Sequence, residues 1–129
     1  MLSLIHAAHL LESRIEDALG TVGLSMAKFG VLELLAKADE PMPLGELAAG
    51  KACVRSNMTQ LVARLEAEDL VRRIDDPADR RIKRVQLTPT GIERYQAGVK
   101  KMEEVHARFA AALPEDQRHT LSRVLASLK

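Results

Sequence analysis

The chain has no tryptophan, one tyrosine and two phenylalanines in 129 residues. That leaves almost nothing for unpaired bases to stack on, which argues against recognition of RNA or single strands through aromatic platforms. Cysteine occurs once, at Cys53, so no intrachain disulfide framework is available and a reducing compartment is expected. No apolar run approaches the roughly 18 residues of a membrane helix. The opening MLSLIHAAHL lacks the basic n-region of a secretory signal and reads as the first turns of a helix. These absences predict a cytoplasmic protein with no membrane partner. Also missing are a glycine-rich phosphate loop, a serine nucleophile motif and a paired-carboxylate arrangement, so neither an enzyme nor a cofactor site is expected. The length suits one domain, 1–129, with a real core.

Net positive charge is small but concentrated. The whole chain carries a formal net charge of +1. Residues 1–50 hold three bases (Arg14, Lys28, Lys37) against seven acids. Between Leu70 and Arg84 the balance reverses: Arg72, Arg73, Arg80, Arg81, Lys83 and Arg84 outnumber Asp75, Asp76 and Asp79 two to one. A basic feature this local, in a near-neutral chain, is the electrostatic footprint of nucleic-acid binding.

Just before that segment, Met58, Leu61, Val62 and Leu65 fall at i, i+3, i+4 and i+7, one apolar stripe of a helix. Ser56, Asn57, Gln60 and Arg64 are left facing outward. Asn and Gln can bond adenine bidentately, Arg can bond guanine, and Ser can meet a donor or an acceptor. Arg55 and Thr59 complete the DNA-contacting candidates on this helix, with Thr59 and Arg64 suited to phosphate. The wing candidates are Arg80, Arg81, Lys83 and Arg84, with Asp76 and Asp79 as residues that position them.

The remaining chain reads as helices around this unit. A first helix from about Ser3 to Leu19 ends at Gly20 and Gly23. Ser25 can cap a second helix, which Asp39, Glu40, Pro41 and Pro43 break. A short third helix, about Leu44 to Ala49, leads through Gly50 into the polar-faced helix. Two wing strands are expected at Leu70–Ile74 and Arg84–Thr88. Thr88 then caps a long helix with Pro89 at its first position. In that helix Ile92, Tyr95, Val99, Met102, His106, Phe109 and Leu113 alternate at three and four, a heptad seam of about 36 Å. Pro114 ends it, and Leu121, Val124, Leu125 and Leu128 make a last amphipathic helix. Apolar surface in excess of what so small a lobe can cover predicts a homodimer, through Leu4, Ile5, Leu11, Phe109, Leu113, Leu121, Val124, Leu125 and Leu128. The fold class expected is mainly α with a small antiparallel β-wing: a winged helix-turn-helix lobe at 25–91, with dimerisation helices at 1–22 and 92–129.

The stretch GELAAGKACVRSNMTQLVARLEAEDLVRRIDDPADRRIKRVQLTPTG resembles the DNA-binding region of the multiple antibiotic resistance regulator (MarR) family of bacterial transcription factors. DPADRR, followed after five residues by LTPTG, is its specific part. The flanking helices fit the family's dimerisation helices without a sharp motif. Two positions depart from the family pattern. Val54 stands where Ser or Thr commonly caps the recognition helix, leaving Cys53 or Ser56 for that task, and Asp69 stands where Gly is usual. The resemblance implies a dimer that reads a pseudo-palindrome in double-stranded DNA, and a wing arginine that enters the minor groove. It also implies a small aromatic or anionic effector, bound between the dimerisation helices and the DNA-binding lobe of a repressor.

Other readings remain beside this one. Cys53 is either a small buried residue of the turn or a thiol poised for redox sensing near a helix N-terminus. His6 with His9, and Glu103 with His106, have the i, i+3 spacing of a metal-responsive regulator. With no cysteine cluster and a single Glu-x-x-His, no metal ligand set is assigned. A winged helix serving as a protein-interaction module would more often present an apolar helix and a less basic wing.

Overall fold

The computed structural model describes residues 2–50 and 55–128, the side chains of Arg55 and Ser56 excepted. The elements are α1 (Leu2–Gly20), α2 (Met26–Ala38), β1 (Met42–Pro43), α3 (Leu44–Gly50), α4 (Arg55–Ala67), β2 (Val71–Asp75), β3 (Lys83–Leu87), α5 (Pro89–Ala111) and α6 (Glu115–Ser127).

Caps set several of these boundaries. The Ser25 hydroxyl accepts from the backbone N–H of Lys28 at the start of α2, one of the four donors that a helix start leaves orphaned. Asp39, at φ 53°, closes α2 in the left-handed region. Asp69, at φ 60°, turns the chain from α4 into β2. Aspartate tolerates this region better than most residues do, so Gly is not required there. Thr88 caps α5 as its sequence predicts, accepting from the N–H of Gly91 at 2.9 Å while its hydroxyl donates to the carbonyl of Asp69 at 2.6 Å. The end of α4 and the start of α5 are thus tied at one buried threonine.

The core is formed mainly by α2, α3, α4 and the sheet: Val31, Leu32, Leu35, Leu47, Met58, Val62, Leu65, Leu70, Val71 and Val85 are all buried. α5 lies across this core and runs beyond it along α1. Two glycines permit that approach. A Cβ on Gly91 would fall 1.9 Å from the Leu70 carbonyl oxygen, and one on Gly98 would fall 2.7 Å from the Phe29 ring. Phe29 and Tyr95 stack beside Gly98 with centroids 5.5 Å apart.

Three sequence expectations are corrected. The wing is part of a three-stranded sheet of order β1-β3-β2, in which Met42 pairs with Val85; β1 has only two residues, Met42 and Pro43, directly after Pro41, and too short a pattern to be read. Both wing strands sit one residue from their expected bounds: at the tip the ladder extends to Asp75 and Lys83, and at the base Leu70 and Thr88 are joined only by the bond from the Thr88 N–H to the Leu70 carbonyl. The seam of α5 holds at Tyr95, Val99 and Met102, which pack against the core, but Ile92 and His106 are exposed, whereas Gly91 and Gly98 are buried, since closest helix packing selects the smallest side chains.

Candidate nucleic-acid interface

α4 turns its apolar stripe inward, with Met58, Val62 and Leu65 buried and Leu61 packed against the core. Asn57, Gln60 and Arg64 consequently point to solvent, and Thr59 is half-buried. The side chains of Arg55 and Ser56 lie outside the described residues, as does Cys53, and so do the expectations placed on them.

The wing is held by its own aspartates. Asp76 is 7% exposed. It accepts from the N–H groups of Ala78 at 2.8 Å and Asp79 at 3.2 Å, and from Arg84 Nε at 2.6 Å. The Arg84 guanidinium, seconded by the Ala78 N–H, holds the Asp76 carboxyl below the usual carboxylate range. Arg84 is itself pushed up, first by that hydrogen bond to Asp76, and it donates a second one to the Pro41 carbonyl at 3.3 Å. Asp79 accepts from Arg81 at Nε and Nη2, both at 3.1 Å, and from the Arg81 N–H at 3.0 Å. Its carboxyl is lowered by the Arg81 side chain first and the Arg81 backbone N–H second. Lys83 pairs with Asp75 across the strands.

The four wing bases therefore differ in environment. Arg84 is half-buried and bonded inward. Lys83 and Arg81 are exposed and paired. Arg80 is exposed and has no ion pair among the described residues. Ile82, absent from the sequence-based candidates, is 42% exposed at the tip between these bases; its place in a charged loop gave no pattern to find it by.

The expected dimerisation residues fall into two groups. Leu4, Ile5, Val124, Leu125 and Leu128 are exposed, while Leu11, Phe109, Leu113 and Leu121 are half-buried. Leu11 and Phe109 line a cleft of about 450 Å³ between α1 and α5, with Arg14, Lys101, Arg108 and Val105 among its other walls. His6, His9 and His106 are exposed; among the described residues, no three His, Cys, Asp or Glu side chains come together as a metal site. No helix among the described residues is long and apolar enough to cross a membrane.

The model of the MarR family matches residues 24–83, from the start of α2 into the wing. The chain is 31% identical over 102 residues to the HTH-type transcriptional regulator YsmB of Bacillus subtilis (strain 168), covering 79% of this chain and 69% of that one. Among solved structures it is similar to a probable transcriptional regulator from Pseudomonas aeruginosa, at 26% identity and a TM-score of 0.84, covering 98% of this chain and 93% of the other. It is likewise similar to CouR from Rhodococcus jostii RHA1 bound to p-coumaroyl-CoA, at 26% identity and a TM-score of 0.79, covering 97% and 87%.

Proposed function

We propose, from the premise that this chain belongs to the MarR family of DNA-binding transcriptional regulators, that it acts as a cytoplasmic homodimer, a ligand-responsive repressor gripping a pseudo-palindromic operator. It works by binding rather than catalysis. The observation that carries this reading is a division of the surface. Polar and basic side chains lie on α4 and the wing, whereas seven of the ten exposed large apolar residues among those described lie on α1, on α6 or, for Leu128, at the C-cap of α6: Leu2, Leu4, Ile5, Leu10, Val124, Leu125 and Leu128. Exposed apolar surface concentrated on these first and last helices favours a partner of the same kind.

Residues 25–91 form the reading lobe, and 1–22 with 92–129 form the dimer. In each half-site Asn57, Gln60 and Ser56 meet base edges from the major groove, while Arg55, Thr59 and Arg64 meet phosphate. Arg80 and Arg81 address the minor groove. Lys83 flanks the groove, and Arg84 acts with Asp76 to hold the wing upright. Two lobes bound to one face of the duplex would sit about 34 Å apart.

The cleft between α1 and α5 supports the effector part of the reading. Its volume is within the range of small-ligand sites. Leu11, Val105 and Phe109 offer an apolar floor, and Arg14 and Arg108, beside the carboxylates of Asp17 and Glu104, offer positive charge for an aromatic anion. A ligand there would alter the packing of the dimerisation helices and thereby the spacing of the two lobes.

Selection of bound genomic fragments, followed by titration of the full site and of a single half-site, tests this function. A two-fold site bound far more tightly than its half, by a protein that sediments as a dimer, is the expected result. A folded monomer binding the half-site equally well would refute it.

A further inference from the structure

The order β1-β3-β2 leaves β2 at an edge of the sheet. Edge strands present N–H groups with no strand to receive them. At Arg73 that donor is occupied: its backbone N–H gives a hydrogen bond to Oε2 of Glu66 at 3.2 Å. The second oxygen of the same carboxylate lies 3.4 Å from Arg73 Nε. Glu66 belongs to the last turn of α4, two residues after outward-facing Arg64. One carboxylate of the recognition helix therefore holds one wing residue twice, by backbone and by side chain. The covalent route between them passes through the left-handed turn at Asp69.

We propose that Glu66 is a positioning residue for DNA recognition, fixing the pitch of the wing against α4 so that both engage the same half-site. The inference rests on the proposed DNA contacts of the wing. A hairpin arm of five residues is on the order of 17 Å long, so ten degrees of tilt moves its tip about 3 Å, one hydrogen-bond length. That displacement separates an arginine seated in a groove from one that misses it. The side chains of Glu66 and Arg73 are 42% and 35% exposed, so their pairing adds little to stability. The pairing matters for geometry instead.

A double-mutant cycle with Arg80 isolates this role. Operator affinity is measured on a duplex recovered by fragment selection, for the unmodified protein, Glu66→Ala, Arg80→Ala and the double variant, with Glu66→Gln alongside. Glu66→Ala should weaken binding roughly three- to tenfold with an unchanged melting temperature, a loss of the order expected for one ordinary hydrogen bond. Glu66→Gln keeps an acceptor for the Arg73 N–H and should recover most of the loss. In the Arg80→Ala background, Glu66→Ala should cost little more, since the arginine it positions is already absent. Full, independent losses in both backgrounds, or an undiminished affinity for Glu66→Ala, overturn the proposal. If Arg80→Ala alone leaves affinity intact, the wing-contact reading itself fails and this inference falls with it, an outcome distinct from independent losses. Should Glu66→Ala fail to fold, amide exchange in the unmodified protein decides: the Arg73 N–H should be protected, and exchange at the rate of a free amide overturns the hydrogen bond.

Discussion

Arg84 and Asp76, eight residues apart, meet across the base of the wing, where the Arg84 Nε–H lies 2.6 Å from the Asp76 carboxylate. The same guanidinium reaches the Pro41 carbonyl just before β1, so the hairpin is anchored to the strand that opens the helix-turn-helix. The aspartate in turn receives two backbone N–H groups of the loop that carries Arg80 and Arg81. Loop shape and hairpin anchorage therefore depend on one charged carboxylate.

Acid should undo this arrangement. The folded-state pKa of Asp76 lies below its ordinary value, so the unfolded chain takes up the proton more readily. The stabilisation is fully present above the ordinary aspartate value of about 3.9 and is lost as pH falls below it through the lowered folded value. Asp79 shifts in the same direction for the same kind of reason. Melting temperature against pH should fall on the acid side, and Asp76→Asn should flatten part of that fall while lowering stability at neutral pH. Identical acid profiles for variant and parent would remove Asp76 from this role.

Arg80 and Arg81 give the next expectation. Arg80 has no ion pair among the described residues, and Arg81 is fixed by Asp79. Arg80→Ala or Arg81→Ala should weaken operator binding and reduce the slope of log affinity against log salt by about 0.9 for each phosphate left without its cation. Anisotropy titrations over a range of salt concentrations read both quantities. Two variants with parental affinity and slope would mean that the wing does not touch DNA.

On α4, Asn57→Ala or Gln60→Ala should cost about 1 to 3 kcal/mol on the operator and nearly nothing on random duplex. Both side chains are exposed, so folding is spared. The ratio of operator to random affinity is the relevant measurement. If both variants keep that ratio, base readout lies elsewhere.

At the far end of the molecule, Leu125 of α6 and Leu128 at its C-cap are 41% and 66% exposed, and α6 buries no residue of its own. Glutamate at either position should shift sedimentation toward monomer and lower operator affinity, because two linked half-site interactions become one. Covering a leucine is worth about 1.5 to 3 kcal/mol. A dimer as tight as the parent's would place the interface elsewhere.

Gly91 and Gly98 distinguish two kinds of crowding. A methyl group at Gly91 meets a backbone carbonyl at 1.9 Å, whereas one at Gly98 meets the edge of Phe29, which can shift. Gly98→Ala should cost about 1 to 3 kcal/mol, typical of overpacking, and Gly91→Ala distinctly more. Denaturant unfolding of the two variants orders them; the reverse order would contradict the approach of α5 to Leu70.

The sequence alone determined what local chemistry determines. The 3.6-residue stripe of α4 fixed which face is buried and which is polar. The hydroxyls of Ser25 and Thr88 fixed two helix starts, and the crowding of six bases into one hairpin pointed to the wing. Each of these follows from residues near one another in the chain. Tertiary structure decided what depends on distant partners. It paired Met42 with Val85 to complete the sheet, and turned α5 so that glycines rather than Ile92 and His106 met the core. It also sorted four similar bases into Arg84 bonded inward, Lys83 and Arg81 paired, and Arg80 exposed without an ion pair among the described residues. Sequence spacing carries no information on those outcomes, because an arginine's role is set by which carboxylate the fold brings within about 3 Å of it.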